Sequence, residues 1–129
     1  PEERGIGDTK KTEVFKQLHK HINPNFYLEI GVLKGKMFEL ANCKKLGIDP
    51  EPKTDDKNVY TMESDTFFDT NTLHDKVDIA YIDGMHLFEY VLRDFINVEK
   101  YSHKKTLIMI DDVFPAHPKQ ANRERDNSP

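Results

Sequence analysis

The chain has one cysteine, Cys43, among 129 residues. A lone cysteine excludes an intramolecular disulfide and any zinc site built on cysteines. Long apolar stretches are missing too. No run approaches the roughly 18 residues of a membrane span, and no basic stretch followed by an apolar one reads as a secretory signal. Basic charge is in deficit, with 19 Lys and Arg against 23 Asp and Glu and a net charge of -4, which argues against a general nucleic-acid binder. Hydrophobic residues are scarce at 36%, and the mean hydropathy of -0.74 predicts a thin core. The length allows one domain. These absences describe a soluble, cytoplasmic single domain.

Apolar segments and turn signals alternate along the chain. Residues 1–8, PEERGIGD, read as a flexible leader. A helix is predicted from Thr9, with Val14, Phe15, Leu18 and Ile22 on one face and Asp8 or Thr9 as cap. Asn23-Pro24-Asn25 stops it, because proline disfavours helix in the residue before it. Strands are predicted at Phe26–Ile30, Lys45–Asp49, Asn58–Met62, Val77–Ile82 and Thr106–Ile110. Between them, helices are predicted at Lys36–Asn42, Ser64–Leu73 and His86–Tyr101. This alternation predicts an α/β domain over residues 1–114, with a doubly wound, Rossmann-like sheet of about five parallel strands in the order 3-2-1-4-5. Residues 115–129 read as a polar tail or unfinished loop.

In such sheets ligands bind at the carboxyl ends of the strands. Each predicted strand end carries an acid: Glu29, Asp49, then Glu63 and Asp65, Asp83, and the pair Asp111-Asp112. The first turn reads E-x-G-x-x-x-G, from Glu29 through Gly31 to Gly35. The dinucleotide fingerprint carries a middle glycine, and its helix N-terminus holds a pyrophosphate. Here that glycine is absent and Glu29 would repel a phosphate. An acid there suits a cationic amino group, and Asp49 can accept hydrogen bonds from both ribose hydroxyls. A nucleoside carrying positive charge, such as S-adenosylmethionine, meets both demands.

Tyr27-Leu28-Glu29-Ile30-Gly31-x-x-x-Gly35 and Gly47-Ile48-Asp49-Pro50 together resemble the class I S-adenosylmethionine-dependent methyltransferases. Tyr81-Ile82-Asp83-Gly84-Met85-His86, Tyr90, Arg93-Asp94 and Ile110-Asp111-Asp112 resemble the branch acting on hydroxyls of small molecules, including sugars. The likeness spans about residues 10–114. It implies that Glu29, Gly31 and Gly35 line the methionine end of the cofactor, that Asp49 binds the ribose, and that Ser64 and Asp65 lie in the stretch reaching the adenine. It also implies a divalent metal held by Asp83 and by Asp111 or Asp112, with His86 as base. Neighbouring strands lie about 4.8 Å apart, so the fourth and fifth tips can offer two carboxylates to one hard cation such as Mg2+. Successive residues of a strand face opposite ways, so Asp111 and Asp112 are alternatives unless the strand has ended. Relatives of this kind continue into a further helix and an antiparallel strand pair, which this sequence lacks as read.

Simpler readings compete residue by residue. Glu29 pairs at the surface with Lys34 or Lys36, Asp49 starts a turn, and Asp65, Asp83 or His86 merely begins a helix. Lys44-Lys45 and Lys104-Lys105 are solvated, and Cys43 is a small half-buried residue. At the level of function, the alternatives to an enzyme with a small hydroxylated acceptor are a nucleoside-binding or assembly module without turnover, and another Rossmann-type enzyme. An unpaired edge at the fifth strand would favour a homo-oligomer.

Overall fold

The computed structural model describes residues 2–83 and 88–111. In chain order it contains α1 (Glu2–Ile22), β1 (Phe26–Ile30), a single 3-10 turn at Phe38–Leu40, β2 (Lys44–Asp49), β3 (Val59–Thr61), α2 (Ser64–Thr70), β4 (Val77–Asp83), α3 (Phe88–Glu99) and β5 (Ser102–Asp111). The five strands form one parallel sheet in the order β3-β2-β1-β4-β5. Among the described residues, no helix is long and apolar enough to cross a membrane. The tail at 115–129 lies outside the described residues.

The sheet is covered on both faces, and the two covers are made differently. Phe15 of α1, Val32, Met37, Phe38 and Ala41 pack on Tyr27, Ile79 and Tyr81. On the other face, Phe67 of α2 with Val91 and Val98 of α3 packs on Phe26, Leu28, Ile30, Ile48, Ala80 and Ile82. β1 lies between β2 and β4, so all five of its residues are buried. This is why it reads as an unbroken apolar run interrupted only by Glu29.

Local chemistry sets the element ends. Asn23 takes φ 54°, and its N–H donates to the His19 carbonyl at 2.8 Å. This is a left-handed cap on α1, and Pro24 then bars continuation. α1 starts at Glu2, ahead of the expected start at Thr9, so residues 2–8 are helical backbone. Of the expected apolar face, Phe15 is buried and Ile22 packs beside it, while Val14 is 47% exposed. The expected helix at Lys36–Asn42 is only the 3-10 turn at Phe38–Leu40. Its carbonyls are capped by Lys45, whose Nζ donates to the oxygens of Phe38 and Ala41 and lies 4.8 Å from the Phe38 ring centre. Lys45 is therefore part of the packing, not a solvated residue.

β5 begins four residues before its expected start. Val77 pairs with Ser102 but Ile79 pairs with Leu107, a register shift that leaves the polar HKK segment outside the ladder. Thr106 closes this irregularity, with Oγ1 donating to the Val77 carbonyl and accepting from the His103 N–H. At the same end, Asp78 accepts from the N–H groups of Asn25 and Phe26 and meets His103 Nε2 at 2.7 Å. Burial pushes the Asp78 carboxyl up, but His103 and the two amides outweigh it and hold it below the usual aspartate range. On α3, Val91, Asp94 and Val98 are buried and Phe95 is partly buried, while Leu92 and Ile96 are exposed.

Candidate functional site

β1 and β4 alternate between two roles. Leu28, Ile30, Ala80 and Ile82 point to the α2–α3 side. Tyr27, Ile79 and Tyr81 point to the α1 side. The period of two therefore puts Glu29 and Asp83 on the α1 side, with Asp111 beside them on β5. Hydrogen bonds agree with this placement. The Tyr27 hydroxyl donates to Glu29 Oε1 at 2.5 Å, and the Tyr81 hydroxyl donates to Asp111 Oδ2 at 2.8 Å.

The turn after β1 is built on positive φ angles. Gly31 takes φ 87° and Gly35 takes φ 82°. A Cβ on Gly31 would stand 2.8 Å from the Asp83 Cβ, so this position needs glycine for its conformation and for the close approach of β4. Leu33 takes φ 56° without being glycine. Its N–H donates to Asp49 Oδ2 at 2.7 Å, and its carbonyl accepts from the Lys53 N–H at 2.8 Å. Asp49 Oδ1 accepts from the Glu51 N–H at 2.8 Å. Asp49 thus binds the glycine turn to the end of β2, and each of its oxygens retains a further lone pair for an outside donor.

Glu29 is 1% exposed, Asp49 4% and Asp83 8%. The surface ion pair of Glu29 with Lys34 or Lys36 is thereby excluded. Burial pushes the Glu29 carboxyl up to about 8. The Tyr27 hydroxyl and Lys45 pull it down, and the charges of Asp83 and Asp49 push it up. Burial, with the neighbouring Glu29, raises the Tyr27 phenol well above its ordinary range. Glu29 is therefore a buried acid poised near neutral pH, and a cation beside it would favour the carboxylate.

Asp83 and Asp111 are register partners across β4 and β5. Asp111 Oδ2 also meets Lys11 Nζ of α1 at 2.8 Å. Among the described residues no three His, Cys, Asp or Glu side chains are grouped to hold a metal ion. His86 and Asp112 lie outside the described residues. A depression of about 290 Å3 opens beside Asp111, against Val14, Met37, Tyr81 and Met109. A second, of about 330 Å3, lies between α2 and α3 against Asp65, Asp69 and Arg93, on the other side of the sheet.

Ser64 and Asp65 open α2 just past the tip of β3. Thr61 is the register partner of Asp49, and the Met62 N–H donates to the Asp49 carbonyl at 3.1 Å. The Ser64–Asp65 step therefore leaves the sheet beside the end of β2. Ser64 Oγ donates to Asp94 Oδ1 at 2.5 Å, and Asp65 pairs with Arg93 at 3.0 Å.

The partners of the acids escaped the sequence reading. Tyr27 stands two residues before Glu29, and Tyr81 two before Asp83, so the strand period already placed each phenol on the same face as the acid that follows it. Lys11 and Asp94 carried no such signal, because they meet their partners across 100 and 30 residues.

No curated protein matches this chain. A family model described as a methyltransferase domain, Methyltransf_24, matches residues 28–113, from β1 past the end of β5. The match takes in two thirds of the chain, including β1 from Leu28, the other four strands and the acids at the strand tips. With its 3-2-1-4-5 parallel sheet and glycine turn, the chain belongs to this methyltransferase-domain family, whose usual cofactor is S-adenosylmethionine.

Proposed function

We propose that the chain transfers a methyl group from S-adenosylmethionine to a hydroxyl of a small molecule, with a sugar as the favoured class of acceptor. The observation that carries the reading is the row of buried acids Glu29, Asp49 and Asp83 along adjacent strand ends, joined by the Gly31–Gly35 turn. Acids so placed repel a pyrophosphate and suit a cation joined to a ribose. When bound, S-adenosylmethionine supplies a methyl group on a positively charged sulfur. Glu29 and the Gly31–Gly35 turn take its methionine end. Asp49 accepts from the ribose hydroxyls with the lone pairs that Leu33 and Glu51 leave free. Ser64 and Asp65 border the base.

On the acceptor side, His86 is the base that removes the hydroxyl proton, its side chain being the one that titrates nearest neutral pH. Asp83 orients the hydroxyl. Asp83, with Asp111 or Asp112, would hold a Mg2+ ion, which would supply a lowered pKa at the attacking oxygen. Lys11 stands against Asp111 Oδ2 and is the cation such a metal displaces. Catalysis in this arrangement is chiefly positioning and charge placement.

Calorimetric titration with S-adenosylhomocysteine, with and without Mg2+, tests the reading. Micromolar binding is expected, weakened about tenfold or more by Glu29→Gln and by Asp49→Ala. Equal binding by all three proteins would remove the cofactor assignment. A Mg2+ effect on methyl transfer that persists unchanged in Asp83→Asn would remove the metal assignment.

A further inference from the structure

β3 and β5 form the two edges of the sheet, and they differ in what they offer a neighbour. β3 runs for only three residues, Val59–Thr61, and a strand so short gives little to pair with. β5 runs for ten, and among the described residues only β4 pairs with it. One row of its backbone N–H and C=O groups therefore faces away from the sheet. Along that row Thr106–Met109 are half-buried and Ile110 is 38% exposed.

The sequence of this edge is a charge palindrome. It reads Lys104-Lys105-Thr106-Leu107-Ile108-Met109-Ile110-Asp111-Asp112, with uncharged residues between two lysines and two acids, centred on Ile108. In a parallel strand alternate residues turn their backbone groups outward. Two such edges joined antiparallel by a two-fold axis match outward residues with outward residues only when the axis passes through a residue position. An axis at Leu107 sets Asp111 against His103 and Lys105 against Met109. An axis at Met109 sets Asp111 against Leu107. Only the axis at Ile108 sets Lys105 opposite Asp111, and symmetry makes that contact twice.

The side chains suit this register. Opposite residues of antiparallel strands hold their Cβ atoms about 4.5–5.5 Å apart, within reach of an ion pair. Lys105 is exposed, and its N–H donates to the His103 ring, so backbone pairing spans Thr106–Ile110 and Lys105 adds its side chain. Among the described residues, the side-chain bonds to Asp111 come from Lys11 and Tyr81, and both fall on Oδ2. That leaves Oδ1 for a lysine of a second copy.

We propose that β5 is the docking edge of a symmetric dimer, in which β5 of a second copy of this chain pairs antiparallel with it about Ile108 and continues the sheet across the two-fold axis. Lys105 of each copy meets Asp111 of the other and fixes a register that the uncharged residues between them do not.

The test is sedimentation equilibrium of the chain from about 1 µM to 1 mM, a range suited to weak pairing over a small interface. The mass is expected to rise from 15.1 kDa towards twice that value. Lys105→Glu alone, or Asp111→Lys alone, sets like charges opposite each other twice and is expected to weaken association about tenfold. An equimolar mixture of the two variants restores it, because each mixed dimer pairs unlike charges at both places. Asp111 also holds Lys11, so a second readout leaves the charges untouched. With Cys43→Ser as background, Ile108→Cys is expected to form a disulfide-linked dimer on oxidation, since the two thiols meet at the axis. Thr106→Cys in the same background is expected not to, since it lies opposite Ile110 and roughly 13 Å along the strand from its own counterpart. A chain that stays at its monomer mass throughout overturns the proposal, as it would if another part of its own chain covered β5. A dimer indifferent to both charge reversals, or one in which Thr106→Cys links as readily as Ile108→Cys, overturns it as well.

Discussion

The two faces of one sheet divide stability from chemistry. Along β1 and β4 the residues facing α2 and α3 are Leu28, Ile30, Ala80 and Ile82, all apolar and all buried. The residues facing α1 are Tyr27, Glu29, Ile79, Tyr81 and Asp83, and four of these five are partners in a polar network or acids at a strand tip. The same backbone therefore serves both purposes by alternation alone. One face gains its free energy from apolar area removed from water. The other gives part of that up to keep ionisable groups dry, Glu29 beside the Tyr27 hydroxyl and Asp111 beside the Tyr81 hydroxyl and Lys11. The comparison implies that equal-sized insults to the two faces will do different things.

The largest effect is expected on the apolar face. Ile82 is fully buried, and Ile82→Ala leaves a cavity that should cost about 2–5 kcal/mol. Chemical denaturation would measure it. The face is distinguished by what remains: the fraction still folded should bind S-adenosylhomocysteine with unchanged affinity. A variant that stays folded but loses binding would erase the division between faces.

Next comes Glu29, where the polar face is exposed to pH. Its carboxyl is pushed up to about 8 by burial, against an ordinary value of 4.5. Between those values the folded chain holds a proton that the unfolded chain has released. Stability is therefore fully present below about pH 4.5 and falls as pH rises through 8. Glu29→Gln cannot ionise and should remove this slope, which amounts to about 3 kcal/mol between pH 5 and 8. Melting curves of the two proteins across that range should coincide at the acid end and separate at the alkaline end, with the variant the more stable. Parallel curves would show that Glu29 is charged in the folded state. Asp78 works in the opposite sense at the other end of the sheet. Its carboxyl lies below the ordinary value, so its contribution is present above about pH 4 and is lost as pH falls.

Gly31 tests how closely the faces are joined at the tips. Gly31→Ala places a methyl against Asp83 in a backbone region that disfavours it, at about 1–3 kcal/mol. If Asp83 belongs to the proposed site, nucleoside binding should fall by more than the loss of stability explains. Titration at a temperature where the variant is fully folded checks this.

The legible parts of the molecule are those with a short repeat. β1 was placed to the residue, and the sheet order follows from alternating strands and helices and the handedness of crossovers. The acids at the strand tips were legible because strand ends and turn glycines sit together in sequence. Other features had no local signature. Whether Lys36–Asn42 makes α-helix or one 3-10 turn depends on Lys45 capping the carbonyls of Phe38 and Ala41. The early start of β5 depends on Thr106 bridging to Val77. That Asp94 faces inward, while Leu92 and Ile96 face outward, runs against hydrophobic periodicity and is settled by Ser64 thirty residues away.

The smallest effect is expected at Leu33, where the polar face holds strain. This residue occupies the left-handed region at the place where the dinucleotide fingerprint has its middle glycine. The conformation costs a branched side chain about 1–2 kcal/mol. It persists because Asp49 holds the Leu33 N–H and Lys53 holds its carbonyl. Leu33→Gly relieves that strain, at the expense of a more flexible unfolded chain, for a net gain of about 1 kcal/mol or less. The leucine side chain is 41% exposed, so little burial is lost. If the strain serves to hold the turn against Asp49, the glycine variant should melt higher yet bind S-adenosylhomocysteine more weakly, because the turn gains freedom it must give up on binding. A variant that gains on both counts would show that Leu33 contributes nothing to the site, and that Asp49 alone sets the turn.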